Sequence, residues 1–373
     1  MKIHFLLLFS AITLVGLTTG CDDDDGPIGP DPIDEVITGP FAPTPYELQT
    51  PNYLPGPILP VDNPLTEEGI WLGRKLFYDP ILSRDSSQSC ASCHKQEFAF
   101  TDGLAQAVGI QGIAGPRSAM AIANMAFNPS SFNWDGSSPT LEDQALHPVT
   151  NMLELDNDWE TVLMRLRRHP NYPREFRAAF GIDRTSDITQ ELATKAIAQF
   201  ERTLISANSK FDRVVYLNEE FFTELEQEGR ELFDLEFLVP GQLHPGCTHC
   251  HNAPGFSDNQ FHNNGLDSVG DLTEFPDLGL GSVNGNVFDN GKFRTSSLRN
   301  IALTAPYMHD GRFATLEEVV DHYASGGHRA ENTNANITGF DLTEHEKEAL
   351  VAFLRTLTDD SFITDERFSN PFE

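Results

Sequence analysis

The sequence predicts a mainly α-helical protein built as two related domains, and two observations carry that expectation. Apolar residues recur at helical spacing, as in Ala193, Ala196, Ile197, Phe200 and Leu204, whereas strand-like alternation is scarce. A short signature also occurs twice: Gly73-Arg74-Lys75-Leu76-Phe77 stands 17 residues before Cys90, and Gly229-Arg230-Glu231-Leu232-Phe233 stands 18 before Cys247. A second echo follows each cysteine pair, Phe100-Thr101-Asp102 six residues beyond His94 and Phe256-Ser257-Asp258 five beyond His251. An internal repeat explains both echoes better than chance does.

Taken along the chain, residues 1–20 read as an export signal: Lys2, an apolar run from Ile3 to Leu17, then Thr18, Thr19 and Gly20 before Cys21. Small residues ahead of a cysteine resemble a bacterial lipobox, although Leu17 sits one place further back than usual. Cys21 is therefore expected to carry a lipid that anchors the protein to a membrane, the alternative being a plain secretory signal. Either way the protein is expected to be exported, to the periplasm or the cell envelope. Residues 21–64 follow, with 11 of the 24 prolines and no Lys or Arg after Cys21, and are expected to form a stiff, solvated tether. Helical signals begin at Thr66-Glu67-Glu68. The body then divides into residues 65–208 and 209–373, joined somewhere near Asn208 to Glu219.

Across the whole chain, 56 Asp and Glu against 25 Lys and Arg give a formal charge of −31, which excludes a nucleic-acid partner because nothing would neutralise phosphates. Such acidity suits a basic partner protein instead. A hydrophobic share of 39% is enough to build a core.

Cys90-Ala91-Ser92-Cys93-His94 and Cys247-Thr248-His249-Cys250-His251 both have the C-x-x-C-H order of covalent c-type haem attachment. Two thiols on one turn can each add to a vinyl group of one porphyrin, and the adjoining imidazole falls beneath the iron. A zinc site, a disulfide and a redox dithiol are the competing readings. Zinc would need both halves in one site, whereas the echoes put each pair in its own domain with its own histidine. Two covalently bound haems c are expected, in cytochrome c-like domains with iron ligands His94 and His251. Two such haems alone would also suit a simple electron carrier, which keeps both axial positions filled.

Several further motifs resemble the bacterial di-haem cytochrome c peroxidase family, and its MauG-like branch, from Thr66 to Leu357. Trp134-Asp135-Gly136, Leu141-Glu142-Asp143-Gln144-Ala145, Pro148 and Glu154 are similar to the family's segment over the peroxidatic haem. Lys292-Phe293-Arg294-Thr295, Leu298-Arg299-Asn300 and Ala305-Pro306-Tyr307-Met308-His309-Asp310-Gly311 are similar to its second-domain segment. The resemblance implies that Glu154 moves protons, Gln144 orients the oxidant and Trp134 relays electrons between the haems. A histidine that caps the first iron in many members has no counterpart, because the matching loop is Val108-Gly109-Ile110-Gln111-Gly112. An open first iron is therefore expected, reactive without prior reduction.

For the second iron, Met308, His309, His322 and Tyr323 are candidate sixth ligands. The family's methionine falls 14 residues after the histidine of the His-Asp-Gly motif, a position held here by Tyr323, as in the MauG-like branch. Met308 is the runner-up. The family's calcium ion would lie between Ser118, in place of an asparagine, and the carbonyls of Thr304 and Pro306. Arg294 and Arg299 are expected either to pair haem propionates or to form structural salt bridges.

Together these readings predict an exported di-haem peroxidase that reduces hydrogen peroxide with electrons from a small donor such as a cytochrome c. The alternatives are a MauG-like oxidase acting on a protein partner and a di-haem electron carrier without turnover.

Overall fold

A computed structural model describes residues 34–129, 131–234 and 245–373. The signal segment, Cys21 and the start of the expected tether lie outside the described residues. Among those described, helices dominate and the single sheet has two short strands, Phe261–His262 and Phe293–Arg294, paired antiparallel. No described helix is long and apolar enough to cross a membrane.

Two helix pairs organise the body. Helix Glu67–Tyr78, capped by the Thr66 hydroxyl accepting from the Gly69 amide, packs along helix Gln190–Thr203. Helix Glu224–Asp234 packs in the same way along helix Glu344–Arg355. A glycine permits each close approach. A Cβ on Gly73 would stand 1.9 Å from the Ala196 carbonyl oxygen, and one on Gly229 would stand 1.9 Å from that of Ala349. Phe77 then meets Phe100 and Phe200, at ring separations of 6.2 and 5.3 Å. Phe233 likewise meets Phe256 and Phe353, at 6.1 and 5.0 Å. These aromatic triads centre two hydrophobic cores, and the periodic face Ala193, Ala196, Ile197, Phe200 and Leu204 lies buried in the first.

Similar turns abut the end of the second helix of each pair. Asn124 and Asn300 both adopt a left-handed backbone with φ of 62°. Their amides donate to Leu204 and Leu357, at the ends of the two long C-terminal helices. The fully buried Asn300 reaches across to the Ser206 hydroxyl at 3.0 Å, and Asp359 accepts from the amides of Ala207 and Asn208. The expected junction is not loose chain: Lys210–Leu217 is helical, and Phe211 and Asp212 are buried within it.

The tether expectation needs correcting from residue 34 onward. Ile37 and Leu54 are buried, and Tyr53 stacks on Tyr216 with ring centres 4.2 Å apart. Asn63 is buried against Glu142 and Gln199. Extended, proline-rich backbone needs few partners of its own, so a handful of anchors suffices to lay this segment along the body.

Candidate active site

The first cysteine pair lies on the one-turn helix Cys90–Cys93, whose cap residue Ser89 exchanges hydrogen bonds with Ser92. The chain then reverses, so that Phe100, with φ of 65°, presents its carbonyl to His94 Nδ1 at 2.9 Å. An Nδ1–H donated to a carbonyl fixes the tautomer and leaves Nε2 as a lone-pair donor, the form a metal requires. The second site repeats this. Phe256, with φ of 53°, presents its carbonyl to His251 Nδ1 at 3.0 Å. Hydroxyls complete the parallel: Thr101 donates to the Ala119 carbonyl and Ser257 to the Thr295 carbonyl, each at 2.7 Å.

Glu154 stands by the first pair. Burial lifts its carboxyl above the ordinary carboxylate range, against the opposing effect of the Asn151 amide, which donates to Oε1 at 2.7 Å. Its proximity is felt by the thiols: Cys93 is pushed up to about 11 by burial, then by Asp102 and Glu154. The Ile110 amide donates to the Glu154 carbonyl at 2.9 Å, and Gly109 packs so closely that a Cβ would sit 2.2 Å from the Leu153 carbonyl oxygen. The Val108–Gly112 loop is thereby pinned to the turn that carries Glu154. Gln144 ends the short helix Leu141–Gln144, three residues before His147.

Around the second pair opens a cavity of about 650 Å³, walled by Cys247, Cys250, His251, Met308, Tyr323 and Arg294 among others. That is the size of a pocket for a large organic cofactor. Tyr323 is pushed up to about 12 by burial, although a hydrogen bond from Asn264 opposes this. The Asn264 Nδ2 lies 3.2 Å from the Tyr323 hydroxyl oxygen and 3.5 Å from the Met308 sulfur. His322 donates from Nε2 to the Asn264 carbonyl, and His309 stacks on Phe293 at 3.7 Å.

Trp134 reaches the same cavity and is held from both sides: its indole donates to the Ser118 carbonyl at 3.0 Å, and its own carbonyl accepts from the Arg294 amide at 2.8 Å. Arg117, which the sequence reading passed over, locks this corner by pairing Asp135 of the first half and Asp277 of the second.

The two expected arginines differ. Arg294 is buried in the cavity wall, where its Nη1 donates to Asn259 Oδ1 at 3.0 Å, and burial lowers its guanidinium to about 10. Arg299 directs both terminal nitrogens to Asp212, each at 2.8 Å, in a fully buried pair. The salt bridge is thus the reading its geometry supports. Ser118 donates its hydroxyl to the Met308 carbonyl at 3.0 Å, so the segments expected to share a calcium ion close on each other directly.

The donor set suits two c-type haems. Each site offers two cysteines on one turn and an imidazole whose Nδ1 is engaged by a backbone carbonyl. Among the described residues, buried polar atoms without a protein partner also occur near them: Asp102 Oδ2 and Glu201 Oε2, whose carboxyls lie close enough to influence Cys93 and Cys90, and His309 Nδ1 in the second cavity wall. Glu201, also missed in the sequence, is pushed up to about 8 by burial. Its position inside a periodic helix resembles any polar residue at a core boundary. The Asp258–His262 pair beside Cys250 would make a three-ligand cluster only if that thiol were free.

Residues 67–220 match the family model described as di-haem cytochrome c peroxidase. The methylamine utilization protein MauG of Methylorubrum extorquens is 38% identical over 298 residues, 80% of this chain and 80% of that one. Cytochrome c551 peroxidase of Nitrosomonas europaea is 35% identical over 289 residues, 78% of this chain and 79% of that one. Among solved structures, a MauG-like protein associated with microbial copper homeostasis aligns with a TM-score of 0.80 at 38% identity, covering 88% of this chain and 100% of that one.

Proposed function

The chain belongs to the di-haem cytochrome c peroxidase family, and from that premise we propose that it reduces hydrogen peroxide to water with electrons that enter through the second haem. Family membership implies two haems c. The attachment positions are Cys90, Cys93 and His94 in residues 65–208, and Cys247, Cys250 and His251 in residues 209–373. The matched helix pairs, glycines and aromatic triads support reading these halves as one repeated cytochrome c-like domain. When bound, the first haem supplies the centre at which the O–O bond breaks and the second supplies the entry for electrons.

The observation that carries the proposal is Glu154, a half-buried carboxyl beside the first cysteine pair. Peroxide takes two electrons and two protons to become two waters, and one proton must pass from the near oxygen to the leaving oxygen. A carboxylate whose proton affinity is raised by burial can accept that proton and return it. The Asn151 amide fixes Oε1, leaving Oε2 for transfer. Gln144 would orient the oxidant from the end of its short helix. Trp134, held at 3.0 and 2.8 Å by groups of the two halves, would carry electrons between the sites. The acidic surface suits a small basic cytochrome as donor, and the leader suits an exported protein, anchored at Cys21. A calcium ion, where bound, would lie at the seam between Ser118 and the carbonyls of Thr304 and Pro306.

Tyr323 in the second cavity favours a second reading, a MauG-like oxidase that spends peroxide on a protein partner. Steady-state peroxide consumption with a panel of reduced small cytochromes separates the readings. Oxidation of two cytochromes per peroxide supports the peroxidase. Consumption that oxidises a protein partner while the cytochromes stay reduced supports the MauG-like reading, and no consumption leaves an electron carrier.

A further inference from the structure

One nitrogen reaches both side chains expected from the sequence as candidate ligands of the second iron. Asn264 Nδ2 carries two hydrogens, and it lies 3.2 Å from the Tyr323 oxygen and 3.5 Å from the Met308 sulfur. The asparagine is itself fixed. Its carbonyl accepts from His322 Nε2 at 3.0 Å, and the neighbouring Asn263, buried, bonds Asn332 at 2.8 Å and the Gly265 amide at 2.9 Å. Gly265 closes the turn with φ of +73°, where a Cβ would stand 2.9 Å from the His328 carbonyl oxygen. The amide is therefore a stationary donor at the cavity wall.

Its two acceptors are unequal. A phenolate oxygen bound to ferric iron is an anionic acceptor and gains a strong hydrogen bond, whereas a thioether sulfur is a weak one. We propose, resting on the reading that Tyr323 binds the second iron, that Asn264 is a positioning residue that selects Tyr323 over Met308 as axial ligand. Its donor stabilises the oxygen in place and ties the sulfur to the wall. Without that donor the phenolate loses its partner and the sulfur is released, which favours thioether ligation and a higher potential.

The test uses the full di-haem protein and compares wild type with Asn264→Ala, Asn264→Asp, Tyr323→Phe and Asn264→Ala/Met308→Leu. Optical and EPR spectra of the oxidised protein report the ligand, and a redox titration reports the second-haem potential. Asn264→Asp keeps the shape and removes the donor, so it serves even if Asn264→Ala assembles poorly. In both single Asn264 variants the phenolate-to-iron band should be lost, a thioether-to-iron band should appear, and the second haem should become reducible by ascorbate. The double variant should lack the thioether band. Wild-type spectra and potential in the Asn264 variants, alongside a changed Tyr323→Phe, overturn the inference alone. An unchanged Tyr323→Phe overturns the ligand assignment on which it rests.

Discussion

Replacing Glu154 by Gln separates proton chemistry from packing. The amide has the same length, its oxygen can keep the 2.7 Å bond from Asn151, and the backbone bonds of residue 154 to Asn151 and Ile110 are untouched. Both haems should therefore remain attached and Tm should move by no more than about 2 °C. A positioned acid-base group is worth about 10²–10⁴ in rate, so peroxide turnover should fall by that factor, roughly 3–5 kcal/mol of barrier. Direction with pH follows from the raised carboxyl. Only the ionised form can take the peroxide proton, and burial places its titration above the ordinary carboxylate range. Wild-type kcat/KM should thus decline as pH falls through a value above the ordinary carboxylate range, and the variant's residual rate should lack that decline. Stopped-flow or steady-state rates from about pH 4 to about pH 8 provide the assay. Unchanged turnover, or an acid limb that survives in Glu154→Gln, refutes the assignment.

Other expectations concern the frame. Gly73→Ala and Gly229→Ala each drive a Cβ to 1.9 Å from a helix carbonyl and should lower Tm by several degrees, an overpacking cost of about 1–3 kcal/mol, whereas Gly56→Ala, with open space around it, should not. Glu201 is lifted from 4.5 to about 8, so the stability it permits is fully present below pH 4.5 and is lost as pH rises through 8. Denaturant titrations on both sides of that window should show the loss in wild type and a smaller loss in Glu201→Gln. Asp212→Asn strips the Arg299 guanidinium of its buried counter-charge and should cost about 3–5 kcal/mol by the same assay.

Local features were legible in the chain because their chemistry is local. A cysteine pair with its histidine occupies one turn, and the helical face from Ala193 to Leu204 needs only periodicity to be read. The Gly73 and Gly229 echoes were visible as a pattern, but their purpose emerged only where each glycine met a carbonyl of the opposite helix. Long-range pairs were opaque. Arg117 finds Asp277 160 residues away, Asn264 finds Met308 and Tyr323 44 and 59 away, and Arg299 finds Asp212 87 away. The proline-rich segment misled from residue 34 onward because its composition describes a solvated chain, while scattered anchors such as Ile37, Leu54 and Asn63 bind residues 34–64 to the body.

The proposed division of labour between an open first haem and a phenolate-bound second one is tested most directly by mixing the fully oxidised protein with one equivalent of peroxide in a stopped-flow spectrometer, then adding reduced cytochrome. The account predicts an immediate spectral change without prior reduction, reversed by two reduced cytochromes per peroxide. An oxidised protein that stays low-spin and inert until one haem is first reduced would contradict it.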